Sequence, residues 1–77
     1  MKIYNAEITI ASDSDREKLF AEIDFDGVQF AEISQEEKDV RVEFYSHPSG
    51  KAWNFKFDEI VEILIKAKKR LTEEDVK

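Results

Sequence analysis

The sequence predicts an α+β domain, in which an antiparallel meander of four or five strands is covered on one face by a C-terminal helix. Three observations support this fold class. Apolar and polar residues alternate along much of the first 45 positions, which is the period of strands with one buried face. Asp26-Gly27 separates two such stretches and is a strong hairpin signal. Between Ile60 and Leu71, apolar residues recur instead at spacings of three and four, as in an amphipathic helix.

The predicted helix follows Asp58, whose short side chain is expected to accept from the free amides of the first turn as an N-cap. Four basic residues between positions 66 and 70 are expected near its C-terminal end, where the helix dipole favours positive charge. The single domain is therefore predicted to span residues 1–71, with residues 72–77 as a frayed tail. The apolar stripe of the helix consists of Ile60, Leu64, Ala67 and Leu71.

The first three strands are predicted at residues 3–10, at residues 18–25 and after Gly27. A two-residue turn at Asp26-Gly27 fixes the register of the hairpin. The expected cross-strand pairs are Phe25 with Val28, Ile23 with Phe30 and Ala21 with Glu32. This register places apolar residues on both faces of the third strand, so the facing of residues 28–35 stays open. Either a bulge near Ala31 and Glu32 changes the facing, or both faces carry apolar patches.

A fourth strand is predicted at residues 40–45, after a charged connection at residues 34–39. The loop at residues 46–51 contains Pro48 and Gly50, which favour turns. Residues 53–57 alternate again and form either a fifth strand or an extended arm leading into the helix. In a core this small, Trp53 is expected to be a central packing residue.

Composition limits the possible functions of this 77-residue chain. It contains no cysteine, which excludes disulfides and thiolate metal sites and fits a cytoplasmic location. We see neither a secretory signal peptide nor an apolar run long enough to span a membrane. Residues 1–65 carry 15 acidic side chains against 7 basic ones, within a net charge of −6. Such an acidic body disfavours direct binding of nucleic acid and favours a basic protein partner.

No residue set predicts catalysis or a cofactor. His47 is the only histidine and is expected to be a solvent-facing loop residue. The alternating acids Asp13, Asp15 and Glu17 resemble the start of a calcium loop, but Lys18 occupies the position that needs glycine. A solvated turn at residues 12–17 is the preferred interpretation. We therefore predict a non-enzyme without cofactor or metal.

The sheet face opposite the helix is predicted to be partly open and to bind a protein. It would combine acidic side chains with aromatic anchors, a mixture that suits protein recognition. One alternative is self-association of two copies through Phe20. Another is a nucleic-acid accessory surface at the basic helix end. The candidate partner-binding residues are Phe20, Glu22, Asp24, Glu43 and Tyr45.

Residues 18–71 resemble a group of short bacterial proteins that we associate with immunity to contact-dependent or polymorphic toxins. The matching residues are Phe25-Asp26-Gly27, Ala31-Glu32-Ile33, Gln35-Glu36 and Val42-Glu43-Phe44-Tyr45, followed by the C-terminal helix. The resemblance implies a stoichiometric inhibitor that masks the active site of a toxin, often a basic nuclease. It transfers no functional residues to this chain.

Overall fold

The computed structural model describes residues 5–74 as a four-stranded antiparallel sheet with one helix packed on it, which confirms the predicted fold class. The strands follow each other in space in the order of the sequence, as expected for strands joined by short connections. The elements are β1 (Ala6–Ala11), β2 (Phe20–Phe25), β3 (Val28–Ser34), β4 (Arg41–Phe44) and α1 (Phe57–Glu74).

The β2–β3 hairpin closes as predicted at the turn. Asp26 and Gly27 have φ angles of 53° and 80°, the left-handed conformation that both central residues of a type I′ turn require. The predicted pairing of Phe25 with Val28 is confirmed. The side chain of Asp26 also accepts a hydrogen bond from the Asn5 amide at 2.9 Å, which connects the turn to the chain just before β1.

Beyond the turn, the register differs from the simple prediction because β3 contains a bulge. Asp24 lies opposite Gln29, but Ile23 lies opposite Ala31, so that Phe30 is an extra residue in β3. The predicted pairing of Ile23 with Phe30 is therefore wrong. Of the two alternatives that the sequence left open, the structure contains the bulge, one residue before Ala31.

The bulge determines which of the β3 residues after Phe30 face the helix and which face the opposite side of the sheet. Ala21 pairs with Ile33, where the simple register predicted Glu32. Ala31 and Ile33 thereby join Ala21 on the helix side, and all three are buried. Glu32 faces the other way. The apolar core consists of Ala21, Ile23, Phe25, Phe30, Ala31, Ile33, Ala67 and Leu71.

Helix α1 packs across β1, β2 and β3, chiefly on β2. It begins at Phe57, so Asp58 is a first-turn residue and its predicted N-cap role is wrong. Its charge nevertheless favours the positive helix end. The helix continues to Glu74 and therefore includes residues 72–74 of the predicted tail. Residues 75–77 of that tail, like residues 3 and 4 of the predicted first strand, lie outside the described residues.

The basic cluster at residues 66–70 lies inside the helix, and the last turn contains no basic residue. The predicted placement of this cluster at the C-terminal end is therefore wrong. Arg70 has a different function, because its Nη1 atom donates to the Ile8 carbonyl of β1 at 2.9 Å. Thr72 donates to the carbonyls of Lys68 and Lys69 at 3.1 and 3.2 Å.

Residues 53–56 form an extended arm that lies outside the four strands. Trp53 is half-buried, and its indole nitrogen donates to the Tyr45 carbonyl at 3.0 Å. The Phe25 ring lies 4.6 Å from the Phe55 ring, and the Phe30 ring lies 5.3 Å from that of Trp53. The arm therefore packs against the Phe25 and Phe30 side of the core. Trp53 contributes to this packing from the margin of the core and is not the central packing residue that was predicted.

Leu71→Ala should lower the free energy of unfolding by about 2–5 kcal/mol, because Leu71 is fully buried and truncation leaves a cavity. Urea unfolding followed by circular dichroism measures this change. Ile65→Ala is the matched control on the exposed side of α1 and should change stability by less than about 1 kcal/mol. Equal effects of the two substitutions would contradict the packing of the helix.

Candidate protein-binding surface

A row of carboxylates crosses the sheet face that points away from the helix. Glu22 on β2 lies opposite Glu32 on β3, and Glu32 lies opposite Glu43 on β4. We call these three residues the acidic row. Thr9 on β1 continues it, and Glu7 and Asp24 face each other nearby on the same side. Like charges directly opposite each other destabilise a sheet, so this arrangement needs a compensating cation.

Arg16 supplies the compensating charge from the loop between β1 and β2. Its Nη2 atom donates to Glu32 Oε2 at 2.6 Å, and Glu32 is only 8% exposed. This hydrogen bond is the main cause that raises the pKa of Arg16 above its ordinary value, with the Glu32 charge adding to it. The central member of the acidic row is therefore paired, whereas no ion pair of Glu22 or Glu43 occurs among the described residues.

The same guanidinium covers Phe20. Its carbon atom lies 4.1 Å above the centre of the Phe20 ring, which is the geometry of a cation–π contact. Phe20 is 7% exposed. The structure therefore places the predicted aromatic anchor beneath Arg16, where it cannot contact a partner or a second copy without displacing that side chain.

The loop that carries Arg16 is held against the connection between β3 and β4. The two carboxylate oxygens of Glu36 accept hydrogen bonds from the backbone amides of Glu17 and Lys18, each at 2.8 Å. Asp13 accepts from the Asp15 amide at 3.0 Å, in a local turn. These acids hold backbone amides in place. Within residues 5–74, no three or more His, Cys, Asp or Glu side chains are arranged so that they could hold a metal ion.

Tyr45 follows β4 at the end of the acidic row. Its hydroxyl donates to Glu43 Oε1 at 3.1 Å, and its side chain is half-buried. Burial is the largest cause that raises the pKa of Tyr45, followed by the charge of Glu32 and the hydrogen bond to Glu43. The phenol therefore stays protonated and keeps donating to Glu43 at ordinary pH.

The structure thus brings four of the five predicted binding residues to an accessible part of one face. Glu43 is exposed, and Glu22, Asp24 and Tyr45 are half-buried. Sequence reasoning missed Glu32 and Arg16. The reversed alternation at Ala31-Glu32-Ile33 was a signal for the facing of Glu32. No local signal identified Arg16, because its partner lies 16 residues away.

His47 does not face solvent freely, contrary to the prediction. Its ring packs edge-on against Trp53 at 4.6 Å and is half-buried. Its Nδ1 atom accepts a hydrogen bond from the Ser49 amide at 3.0 Å. These contacts give His47 a role in holding the loop after β4 against the aromatic arm.

No protein-family model, curated protein or solved structure matches this chain. The resemblance to toxin-immunity proteins therefore stays a prediction. Within residues 5–74, no helix has the length and apolar character needed to cross a membrane.

Arg16→Met should lower the free energy of unfolding by about 1–3 kcal/mol, because it leaves the buried Glu32 carboxylate without its donor. Glu32→Gln removes the charge that needs this donor. In a double-mutant cycle, the loss in the double variant should therefore be smaller than the sum of the two single losses. Urea unfolding of the four proteins measures the cycle, and strictly additive losses would exclude this pairing.

The raised pKa of Tyr45 leads us to expect that the protein loses stability in alkaline solution. Because its pKa is raised in the folded protein, the unfolded chain releases the proton first as the pH rises. Stability contributed by Tyr45 is complete below about pH 10, the ordinary pKa of tyrosine, and is lost as the pH rises through the higher folded value. Between pH 9 and 11, the urea midpoint of the natural protein should fall more than that of Tyr45→Phe. Parallel curves would contradict this role of Tyr45.

Proposed function

We propose that this chain is a protein-binding module, and specifically an immunity-type inhibitor that neutralises a basic toxin domain by stoichiometric binding. The observation that carries the proposal is the acidic row on the open face of the sheet. The chain would act without catalysis or a cofactor, in the bacterial cytoplasm.

The acidic face suits a basic partner because two of the three carboxylates of the acidic row, those of Glu32 and Glu43, accept hydrogen bonds that hold them before binding. The row lies on paired strands, and its centre, Glu32, is fixed by Arg16 at 2.6 Å. Fixed carboxylates lose little conformational freedom on binding and steer the approach of a positive surface. Cations of a partner would also relieve the repulsion between neighbouring carboxylates of the row.

Two arguments support the inhibitor role: the negative charge of the acidic row, and the resemblance of residues 18–71 to toxin-immunity proteins. A nuclease binds the phosphate backbone through a cleft lined by lysine and arginine. A row of carboxylates on paired strands offers that cleft competing negative charge. Tyr45, at the end of the row, adds an amphipathic ring of the type enriched at protein interfaces.

The test compares what the natural protein and two charge variants capture from a lysate of the native organism. Glu22→Lys/Asp24→Lys reverses two charges on the acidic face. Asp39→Lys/Glu62→Lys makes the same change in net charge at exposed positions in the β3–β4 connection and on α1. Captured proteins are identified by mass spectrometry at low and moderate salt, and binding to the purified partner is then measured.

We expect one basic toxin or nuclease domain, bound by the natural protein and released by salt. The variant at Glu22 and Asp24 should bind it at least tenfold more weakly, chiefly through slower association, whereas the control pair should change binding less than threefold. Equal losses in both variants would show that only net charge matters and would exclude this face. Recovery of no protein other than the chain itself would remove the inhibitor proposal.

A further inference from the structure

The two edges of the sheet differ in how they are protected. On β1, the Ile8 carbonyl accepts a hydrogen bond from Arg70 of the helix. On β4, no strand within residues 5–74 pairs with the outer edge. β4 is short and carries the charged residues Arg41 and Glu43, but it contains no proline, lysine or bulge, which are devices that discourage pairing at exposed edges. β4 is therefore the edge that is open to a further strand.

The hydrogen-bond pattern shows which residues of β4 can pair outward. The Tyr45 amide donates inward to the Phe30 carbonyl at 2.8 Å. Backbone groups of successive residues point to opposite sides of a strand, so those of Glu43 and Arg41 also point towards β3. The amides and carbonyls of Val42 and Phe44 consequently point away from the sheet.

The apolar side chains of this edge are incompletely covered. Val42 is 46% exposed and Phe44 is 56% exposed, although the Phe44 ring lies against Phe30 at 5.4 Å. Because α1 packs on the first three strands, β4 extends beyond its cover. Val40 and Val42 line a groove together with Leu64 and Ile65 of the helix. Ile65 is 62% exposed.

We propose that this edge binds a second copy of the same chain, with the two β4 strands antiparallel across a two-fold axis through Val42. In this register Val42 pairs with Val42 of the second copy, through the outward-pointing backbone groups of both. Arg41 then lies opposite Glu43 of the second copy, and Val40 lies opposite its Phe44. The two sheets become one sheet of eight strands.

The charges of Arg41 and Glu43 favour this register over the two registers in which the two-fold axis is shifted by one residue. A shift that centres the axis on Arg41 places two arginines opposite each other, and one that centres it on Glu43 places two glutamates opposite each other. The Val42-centred register instead makes two pairs of opposite charge, which is the favourable arrangement across strands. Arg41 is available for this contact, since its pair with Glu37 is 3.6 Å long and highly exposed on both sides.

The two helices do not obstruct this pairing. α1 lies chiefly over β2, two strands from the joined edge. With neighbouring strands about 4.8 Å apart, the two helices would lie roughly 24 Å apart. A helix with its side chains is about 10–12 Å wide, so there is space between them. The apolar pairs Val42–Val42 and Val40–Phe44 would form on the helix side of the seam.

Sedimentation equilibrium of the purified natural protein, over a wide range of concentrations, tests the proposal. We expect a reversible dimer. Arg41→Glu and Glu43→Arg each replace two attractive pairs with two repulsive ones, so each should raise the dissociation constant about tenfold or more. The double variant Arg41→Glu/Glu43→Arg restores opposite charges and should return the constant to within about threefold. Glu7→Arg on β1 makes the same charge change as Glu43→Arg, serves as the control for that variant and should have little effect.

Amide hydrogen exchange identifies the edge independently of these substitutions. In the dimer, the amides of Val42 and Phe44 should exchange more slowly than in the Arg41→Glu monomer, whereas those of Glu43 and Tyr45, already directed towards β3, should change less. A natural protein that stays monomeric at millimolar concentration would overturn the proposal. A dimer whose dissociation constant is the same in the natural protein and in the Arg41→Glu and Glu43→Arg variants would also overturn it. So would a dimer in which the amides of Val42 and Phe44 exchange as fast as in the monomer. These measurements involve no other protein and are independent of the proposed inhibitor function.

Discussion

One extra residue in β3 determines which side chains of this strand face the helix. Phe30 has no direct partner on β2, since Ile23 lies opposite Ala31 and Asp24 lies opposite Gln29. Without this bulge, Glu32 would point towards α1 and Ile33 would point to solvent. Burying a carboxylate against an apolar helix without a partner costs several kcal/mol. The bulge avoids this cost and, in the same step, places Glu32 between Glu22 and Glu43.

The two faces of the sheet then have opposite roles. The helix side is an apolar layer that α1 and the aromatic arm cover over β1, β2 and β3, whereas β4 extends beyond this cover. The other side concentrates negative charge that the protein itself compensates only at Glu32, through Arg16. This arrangement is unfavourable for the isolated sheet, because like charges stand opposite each other. In the proposed function, a basic partner supplies the missing positive charge, so that the intramolecular repulsion becomes a source of binding energy.

Local signals were sufficient for most of the fold. The turn at Asp26-Gly27, the alternation in β2 and the stripe that includes Leu71 each depend on residues close in sequence. The sequence located a possible bulge near Ala31 and Glu32 but did not decide whether one occurs, since Phe30 is apolar and suits the core in either register. The helix end was placed too early because no glycine or proline marks it. Of the acids on the candidate surface, Glu22, Asp24 and Glu43 were predicted and Glu32 was missed. The cover of Phe20 by Arg16 depends on how a distant loop folds back.

The register of the β2–β3 hairpin determines both the core and the acidic row, and cross-strand backbone nuclear Overhauser effects in solution measure it. We expect contacts that pair Glu22 with Glu32, Ala21 with Ile33 and Asp24 with Gln29, with no β2 residue opposite Phe30. These contacts would place the acidic row on one face and the apolar layer on the other. Contacts that pair Ile23 with Phe30 and Ala21 with Glu32 would show a regular hairpin without the bulge. That result would contradict both the core and the proposed binding face.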